Sequence, residues 1–225
     1  MDKQTKNGRY IIGIDEVGRG PIAGPVAVGA FICKKEFFDS IEIDTPLRDS
    51  KKLSAKQREK WFVYLKECRE KELCNFAVSY VSSENIDKFG IVKAIQKALD
   101  ASLNKITKQD GGNPNRVGAP EERVKRENFL HPARTTVYLD GGLKAPVEYI
   151  NQETVVKGDE LHPVISCASI VAKVSRDRVM ANYAKEYPLY GFENHMGYGT
   201  RAHYEAIKKH GQTVLHRKSF LKNIS

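Results

Sequence analysis

RYIIGIDEVGRGPIAGPVAVGAFIC, residues 9–33, holds two apolar β-rich runs, residues 11–14 and 26–33, joined by a glycine-rich connection. An acid pair, Asp15 and Glu16, stands where the first run ends. The connection is not a dinucleotide fingerprint. Its glycines, Gly18, Gly20 and Gly24, fall at relative positions one, three and seven instead of one, three and six, Pro21 interrupts them, and a strand instead of a helix follows. That excludes a Rossmann-type oxidoreductase. The loop offers backbone N–H groups to a phosphate or hydroxyl, with Arg19 as an added cation.

Working outward, Ser54 followed three residues later by Gln57 has capping-box spacing. The helix it opens runs to about Arg69, with Trp61, Tyr64, Leu65 and Cys68 on one face. A strand is predicted over 75–81 and a helix over 84–106, with Gly90 as a weak point in its interior. Residues 107–134, rich in Gly, Pro, Asn and mixed charge, read as a mobile surface insertion. Strands follow at 135–142 and 147–156, then a long helix from Pro163 to about Tyr183, and a last helix opened by Thr200 and stopped by Gly211. This order implies an α/β chain with a mixed sheet flanked by helices.

The 225 residues carry 37 Lys+Arg against 28 Asp+Glu, a charge of +9 that suggests a polyanionic partner. The basic surplus sits mostly in residues 173–225, with ten Lys/Arg and four Asp/Glu. Ordinary globular composition excludes a disordered or fibrous chain. No apolar run approaches the ~20 residues of a membrane span, and the amino terminus has no apolar signal core, so a soluble cytoplasmic protein without membrane contact is expected. Cys33, Cys68, Cys74 and Cys167 have no C-x-x-C spacing and read as reduced, buried thiols.

Asp140 repeats the acid-then-glycine arrangement of Asp15-Glu16, and Asp159 is read as closing the next strand. Acid plus glycine after a strand can simply mark a turn. Three such ends would instead collect hard oxygen ligands at one sheet edge, which suits Mg²⁺ or Mn²⁺ and not zinc.

The stretches GIDEVGRGPIAGPV (13–26), LRDSKKLS (47–54), YLDG (138–141), VVKGD (155–159), ISCASIVAKVSRDR (165–178), YPLYGFENHMGYGT (187–200) and HRKSF (216–220) together resemble bacterial ribonuclease HII, and Arg19 favours that type over ribonuclease HIII. The resemblance implies a ribonuclease H-like catalytic domain over 1–184 and a small helical, basic substrate-binding segment over 185–225. It implies hydrolysis of the RNA strand of RNA–DNA hybrids and cleavage at single ribonucleotides in duplex DNA, giving 3′-OH and 5′-phosphate ends. Asp15, Glu16, Asp140 and Asp159 are implied as metal-binding catalytic carboxylates for Mn²⁺ or Mg²⁺. Gly18, Arg19 and Gly20, with the main chain of Glu16, would sense the ribose 2′-OH, and Tyr198 would pack on the sugar beyond the ribonucleotide. Lys51, Lys52, Lys173 and Arg176 are expected at substrate phosphates, Asp177 as a partner of an arginine, and His195 and His203 at phosphates or on the surface. Ser166, Ala168, Ser169 and Ala172 are expected to permit close helix–sheet packing. Two departures stand out: Cys167 replaces the usual alanine, and the 107–134 insertion exceeds the family's usual connection. A monomer is expected; a replication clamp is a partner the sequence does not reveal. A rival of another class, a non-catalytic hybrid-binding module, would be free to lose the four carboxylates that are present here.

Overall fold

The computed structural model describes residues 10–47, 50–107, 132 and 135–222. In chain order its main elements are β1 (Tyr10–Val17), β2 (Val26–Lys34), α1 (Ala55–Glu70), β3 (Cys74–Val81), α2 (Ser83–Phe89), α3 (Ile91–Thr107), β4 (Thr135–Asp140), β5 (Gln152–Val155), α4 (Gly158–Leu161), α5 (Pro163–Glu186), α6 (Phe192–His195) and α7 (Arg201–His210). The five strands form one mixed sheet in the order β3-β2-β1-β4-β5. β1 and β2 pair antiparallel, as do β2 and β3, whereas β4 runs parallel to both β1 and β5. The mixed α/β class is the one the element order implied.

Local chemistry explains the element ends. Ser54 accepts from the Gln57 N–H while the Gln57 side chain accepts from the Ser54 N–H, completing the predicted capping box of α1. Gly90, at φ +80°, breaks the helix predicted over 84–106 into α2 and α3. The strand predicted over 147–156 shrinks to β5, because Val147 and Ile150 lie in a solvent-facing connection, 91% and 70% exposed. Residues 108–131, 133 and 134 of the predicted insertion lie outside the described residues.

Side-chain alternation on β1 sorts the two faces of the sheet. Ile12 and Ile14 join α3 residues Ile95 and Leu99 in one core, while Ile11 joins α1 and α5 residues in the other. Gly13 and Gly29 let α5 approach the sheet backbone to backbone. A Cβ on Gly13 would lie 2.1 Å from the Val164 carbonyl oxygen, and one on Gly29 would lie 2.4 Å from that of Ala168. The small residues Ser166, Ala168, Ser169 and Ala172 are buried along this contact, as predicted.

All four cysteines are free and buried. Burial raises their thiol pKa values, that of Cys74 to about 12, so they are inert. A third apolar cluster joins Ile22 and Ala23 of the glycine loop to Met180 of α5 and to Phe192, Ile207 and Leu215. Among the described residues no helix is long and apolar enough to cross a membrane.

Candidate active site

The parallel pairing of β1 and β4 ends at Ile14 opposite Leu139, so Asp15 and Asp140 follow at the same level of neighbouring strands. The crevice beyond the carboxyl ends of parallel strands is where open α/β sheets place their ligands. Asp15 is only 4% exposed. Burial raises its pKa well above the ordinary carboxylate value and outweighs the hydrogen bond from Ser169; the charges of Asp140, Glu16 and Asp159 push it further up. Glu16 is raised chiefly by burial, against the lowering effect of Arg19, whose Nη1 lies 3.4 Å from Glu16 Oε1. Its other oxygen, Oε2, is buried and accepts no hydrogen bond from the described residues.

Asp159 reaches this edge by a different route from the one predicted. The chain turns left-handed at Lys157 (φ +57°) and places Asp159 in the single helical turn α4, not at a strand end. Gly158 N–H donates to Asp140 Oδ1 at 2.7 Å, and Ser166 Oγ donates to the Asp159 carbonyl at 2.6 Å, tying α4 to β4 and α5. Lys51 Nζ lies 3.3 Å from Asp159 Oδ2, and Lys52 Nζ lies 2.7 Å from Glu160 Oε2. Both lysines therefore border the acidic edge while remaining largely exposed.

Asp15, raised by the charges of Asp140, Glu16 and Asp159, and Glu16, raised by that of Asp140 and with one buried oxygen orphaned, belong to a donor set suited to a hard divalent cation. Among the described residues no three of them converge into a ready-made cage. Mg²⁺ does not require one, because it keeps several waters and uses one or two carboxylates.

The glycine loop follows directly. Gly18 and Gly24 adopt φ of +83° and +82°. A Cβ placed on Gly20 would find the Tyr198 ring carbon Cε1 at 3.7 Å, so the loop and the tyrosine stand side by side. Tyr198 is 46% exposed. Ile22 and Ala23 donate to the Gly197 carbonyl at 2.9 and 3.2 Å, joining the two segments.

Other expected contacts are placed differently. Arg176 does not face solvent: it is fully buried and donates to the carbonyls of Pro25 (2.9 Å), Met196 (3.0 Å) and Ala23 (3.5 Å), which keeps it from substrate phosphates. Lys173 is half-buried and pairs with Asp177 at 2.8 Å, so Asp177 partners a lysine and not an arginine. His203 is buried, not on the surface, and its ring stacks on His195.

The histidines form a relay whose tautomers follow from their partners. Thr213 N–H donates to His216 Nδ1 (2.8 Å), leaving His216 Nε2–H to donate to His203 Nε2 (3.1 Å) and His203 Nδ1–H to donate to the Tyr198 carbonyl (2.8 Å). Both rings must be neutral for this. Burial lowers His203 from 6.5 to about 4 and lowers His216 as well. A base whose folded pKa lies below its unfolded value costs no stability above that unfolded value, and destabilises as pH falls from there toward the folded value. The melting temperature should therefore fall as pH drops from 6.5 to 4.5, and His203→Gln should flatten that slope relative to the parent chain. Parallel slopes for the two proteins would contradict the neutral relay. Sequence reading missed Ser169 as a hydrogen-bond partner of Asp15, the histidine relay and Arg217. Each depends on contacts between distant segments, and only the HRKSF stretch itself hinted at the last.

Residues 12–223 match the family described as Ribonuclease HII. A ribonuclease HII from Clostridioides difficile (strain 630) is 41% identical over 215 residues, covering 96% of this chain and 71% of that protein. Two solved structures share the fold. One is the PCNA:RNase HII complex from Archaeoglobus fulgidus (TM-score 0.62, 24% identity, 92% of this chain and 93% of that one). The other is Bst-RNase HIII in complex with Mn²⁺ (TM-score 0.62, 16% identity, 94% of this chain and 67% of that one). The extent of the family match and the identity to this relative, over a sheet whose acid-ended strands adjoin a glycine loop, lead to one conclusion: the chain belongs to the ribonuclease HII family.

Proposed function

We propose that the chain cleaves duplex DNA at single embedded ribonucleotides, as well as the RNA strand of the RNA–DNA hybrids its family acts on, by two-metal-ion hydrolysis. The observation that carries this reading is the adjacency of the acid pair, the glycine loop and the Tyr198 ring. Asp15, Glu16, Asp140 and Asp159 would hold Mg²⁺ or Mn²⁺, and two such ions supply the charge that stabilises both oxygens of an in-line displacement. The backbone N–H groups of Arg19 and Gly20 read the 2′-OH, the group that distinguishes RNA from DNA at one position. Fixed backbone donors suit that task, since no rotamer change can withdraw them. Tyr198 packs on the neighbouring sugar, and Lys51, Lys52 and Lys173 attract phosphates without reading sequence. Water attacks phosphorus, the P–O3′ bond breaks, and the products are a 3′-OH and a 5′-phosphate. A replication clamp is a proposed partner, suggested by the PCNA complex of the archaeal neighbour.

The test is incubation of duplex DNA carrying one ribonucleotide, with and without Mg²⁺ or Mn²⁺, mapping the cut and its ends. One metal-dependent cut with a 5′-phosphate is expected. A 2′,3′-cyclic phosphate would show that the 2′-OH, not water, is the nucleophile and would defeat the reading. Ring packing by Tyr198 predicts that Tyr198→Ala lowers kcat/KM on this duplex at least tenfold while Tyr198→Phe stays within about threefold, a loss of under 1 kcal/mol. Equal losses would assign the role to the hydroxyl.

A further inference from the structure

The closing HRKSF stretch has no role in the function above, yet it reaches the recognition loop. Arg217 is fully buried and donates three hydrogen bonds into that loop: Nη2 to the Gly18 carbonyl (2.7 Å), Nη1 to that of Arg19 (3.0 Å) and Nε to that of Gly24 (3.0 Å). Its backbone N–H donates to the Ile22 carbonyl at 2.8 Å. Arg176 donates to the carbonyls of Ala23 and Pro25. Five carbonyls of one eight-residue loop thus accept from two guanidinium groups, and a sixth accepts from the Arg217 backbone.

In a trans peptide the C=O of one residue and the N–H of the next point in opposite directions. By drawing in the carbonyls of Gly18 and Arg19, Arg217 therefore directs the N–H groups of Arg19 and Gly20 the other way. Among the described residues those two N–H groups donate to nothing. We propose that Arg217 is a positioning residue for ribose specificity, presetting the Arg19 and Gly20 donors that read the 2′-OH; this deepens the function proposed above and rests on its assignment of that loop.

The guanidinium shape is essential. Its planar fork bonds three carbonyls at once, whereas an ammonium is a compact point charge. Its placement is also costly. Among the described residues neither Arg176 nor Arg217 is ion-paired, and burial, then the Arg176 charge, pushes the Arg217 guanidinium down to about 9. Two unpaired buried cations beneath a loop are stabilised when an anionic backbone arrives on its outer side, since an opposite charge favours the charged form. The segment carrying Arg217 is itself anchored: Asp87 of α2 accepts from the N–H groups of Lys218 and Ser219, both at 2.9 Å.

The test compares the full-length chain with its Arg217→Lys variant for affinity toward duplex DNA with one ribonucleotide and toward the same duplex in DNA alone, with Ca²⁺ replacing Mg²⁺ or Mn²⁺ to slow hydrolysis. The parent chain is expected to prefer the ribonucleotide duplex. Arg217→Lys should bring that preference close to unity while all-DNA affinity stays within threefold. A folded Arg217→Lys protein that keeps the parental preference overturns the proposal. A parent chain without any preference would instead overturn the 2′-OH reading by the loop, which separates the two failures. A second measurement needs no variant. In the parent protein, the Arg217 Nε–H and the Arg19 and Gly20 amide resonances should shift together on adding the ribonucleotide duplex and not the all-DNA one. An Arg217 signal that neither duplex moves would also overturn the proposal.

Discussion

Asp15→Asn is expected to abolish hydrolysis and, in the same protein, to raise the melting temperature of the metal-free chain. The two effects share one cause. A carboxylate that is 4% exposed and surrounded by three further acids is a poor resident of the fold and a good ligand for a hard cation. Asn retains the shape but removes the charge. A loss of at least 10³-fold in rate is expected, about 4 kcal/mol of transition-state stabilisation. In EDTA the neutral side chain relieves both burial and repulsion, and each kcal/mol of relief moves the midpoint by roughly 2–4 °C in a chain of this size. The sign reverses the usual carboxylate case. An acid whose folded pKa is raised destabilises the fold when ionised, so the advantage of Asp15→Asn is full above the folded pKa. It shrinks as pH falls through that value and is gone below the ordinary carboxylate pKa. Asp140→Asn should lose activity equally without a large loss of stability, because a carboxamide oxygen can still accept from Gly158 N–H. Parental rates at saturating Mg²⁺ or Mn²⁺ in either variant would remove that carboxylate from the reaction. An unchanged or lower melting temperature for Asp15→Asn in EDTA would contradict the repulsion.

Gly13→Ala carries the largest expected loss of stability. The added methyl group would sit 2.1 Å from the Val164 carbonyl oxygen and 2.7 Å from the Ile165 nitrogen, both backbone atoms. A side chain could swing away; a helix backbone must move as a unit. Overpacking of this kind costs about 3 kcal/mol, which lowers the melting temperature by roughly 6–12 °C. Activity should fall with it, because Asp15 lies two residues further along the same face and takes its Ser169 contact from the same helix. Thermal denaturation and cleavage assays on the purified variant decide the matter, and a parental melting temperature would mean that α5 yields at this point. Gly29→Ala, facing the Ala168 carbonyl at 2.4 Å, is an independent check on the same contact.

Much of this architecture was legible because local patterns carried it. The apolar runs around the glycine loop, the Ser54–Gln57 cap and the acid after Leu139 each report a structure formed within a few residues. What failed did so where tertiary contacts decide. Val147, Ile150 and Val156 look like a strand yet face solvent, because only residues 152–155 find a partner in β4. Asp159 kept its place at the acidic edge but not its expected setting, since the left-handed turn at Lys157 converts a strand exit into a helical turn. Arg176 and His203 read as polar surface residues, and their burial depends on carbonyls and rings supplied by segments far from them in sequence.

The grip of Arg217 on Gly18 and Arg19 spans 199 and 198 residues, close to the whole length of the chain. Synthesis runs from the amino end, so all four acids leave the ribosome well before the residue that grips the glycine loop beside them. A nascent chain can assemble its sheet and its acidic edge, but the carbonyls of Gly18 and Arg19 gain their guanidinium partner only once residue 217 is made. On the role proposed for Arg217, selectivity is therefore acquired late in synthesis, and a product that stops short of this point would carry the acids without the preset loop.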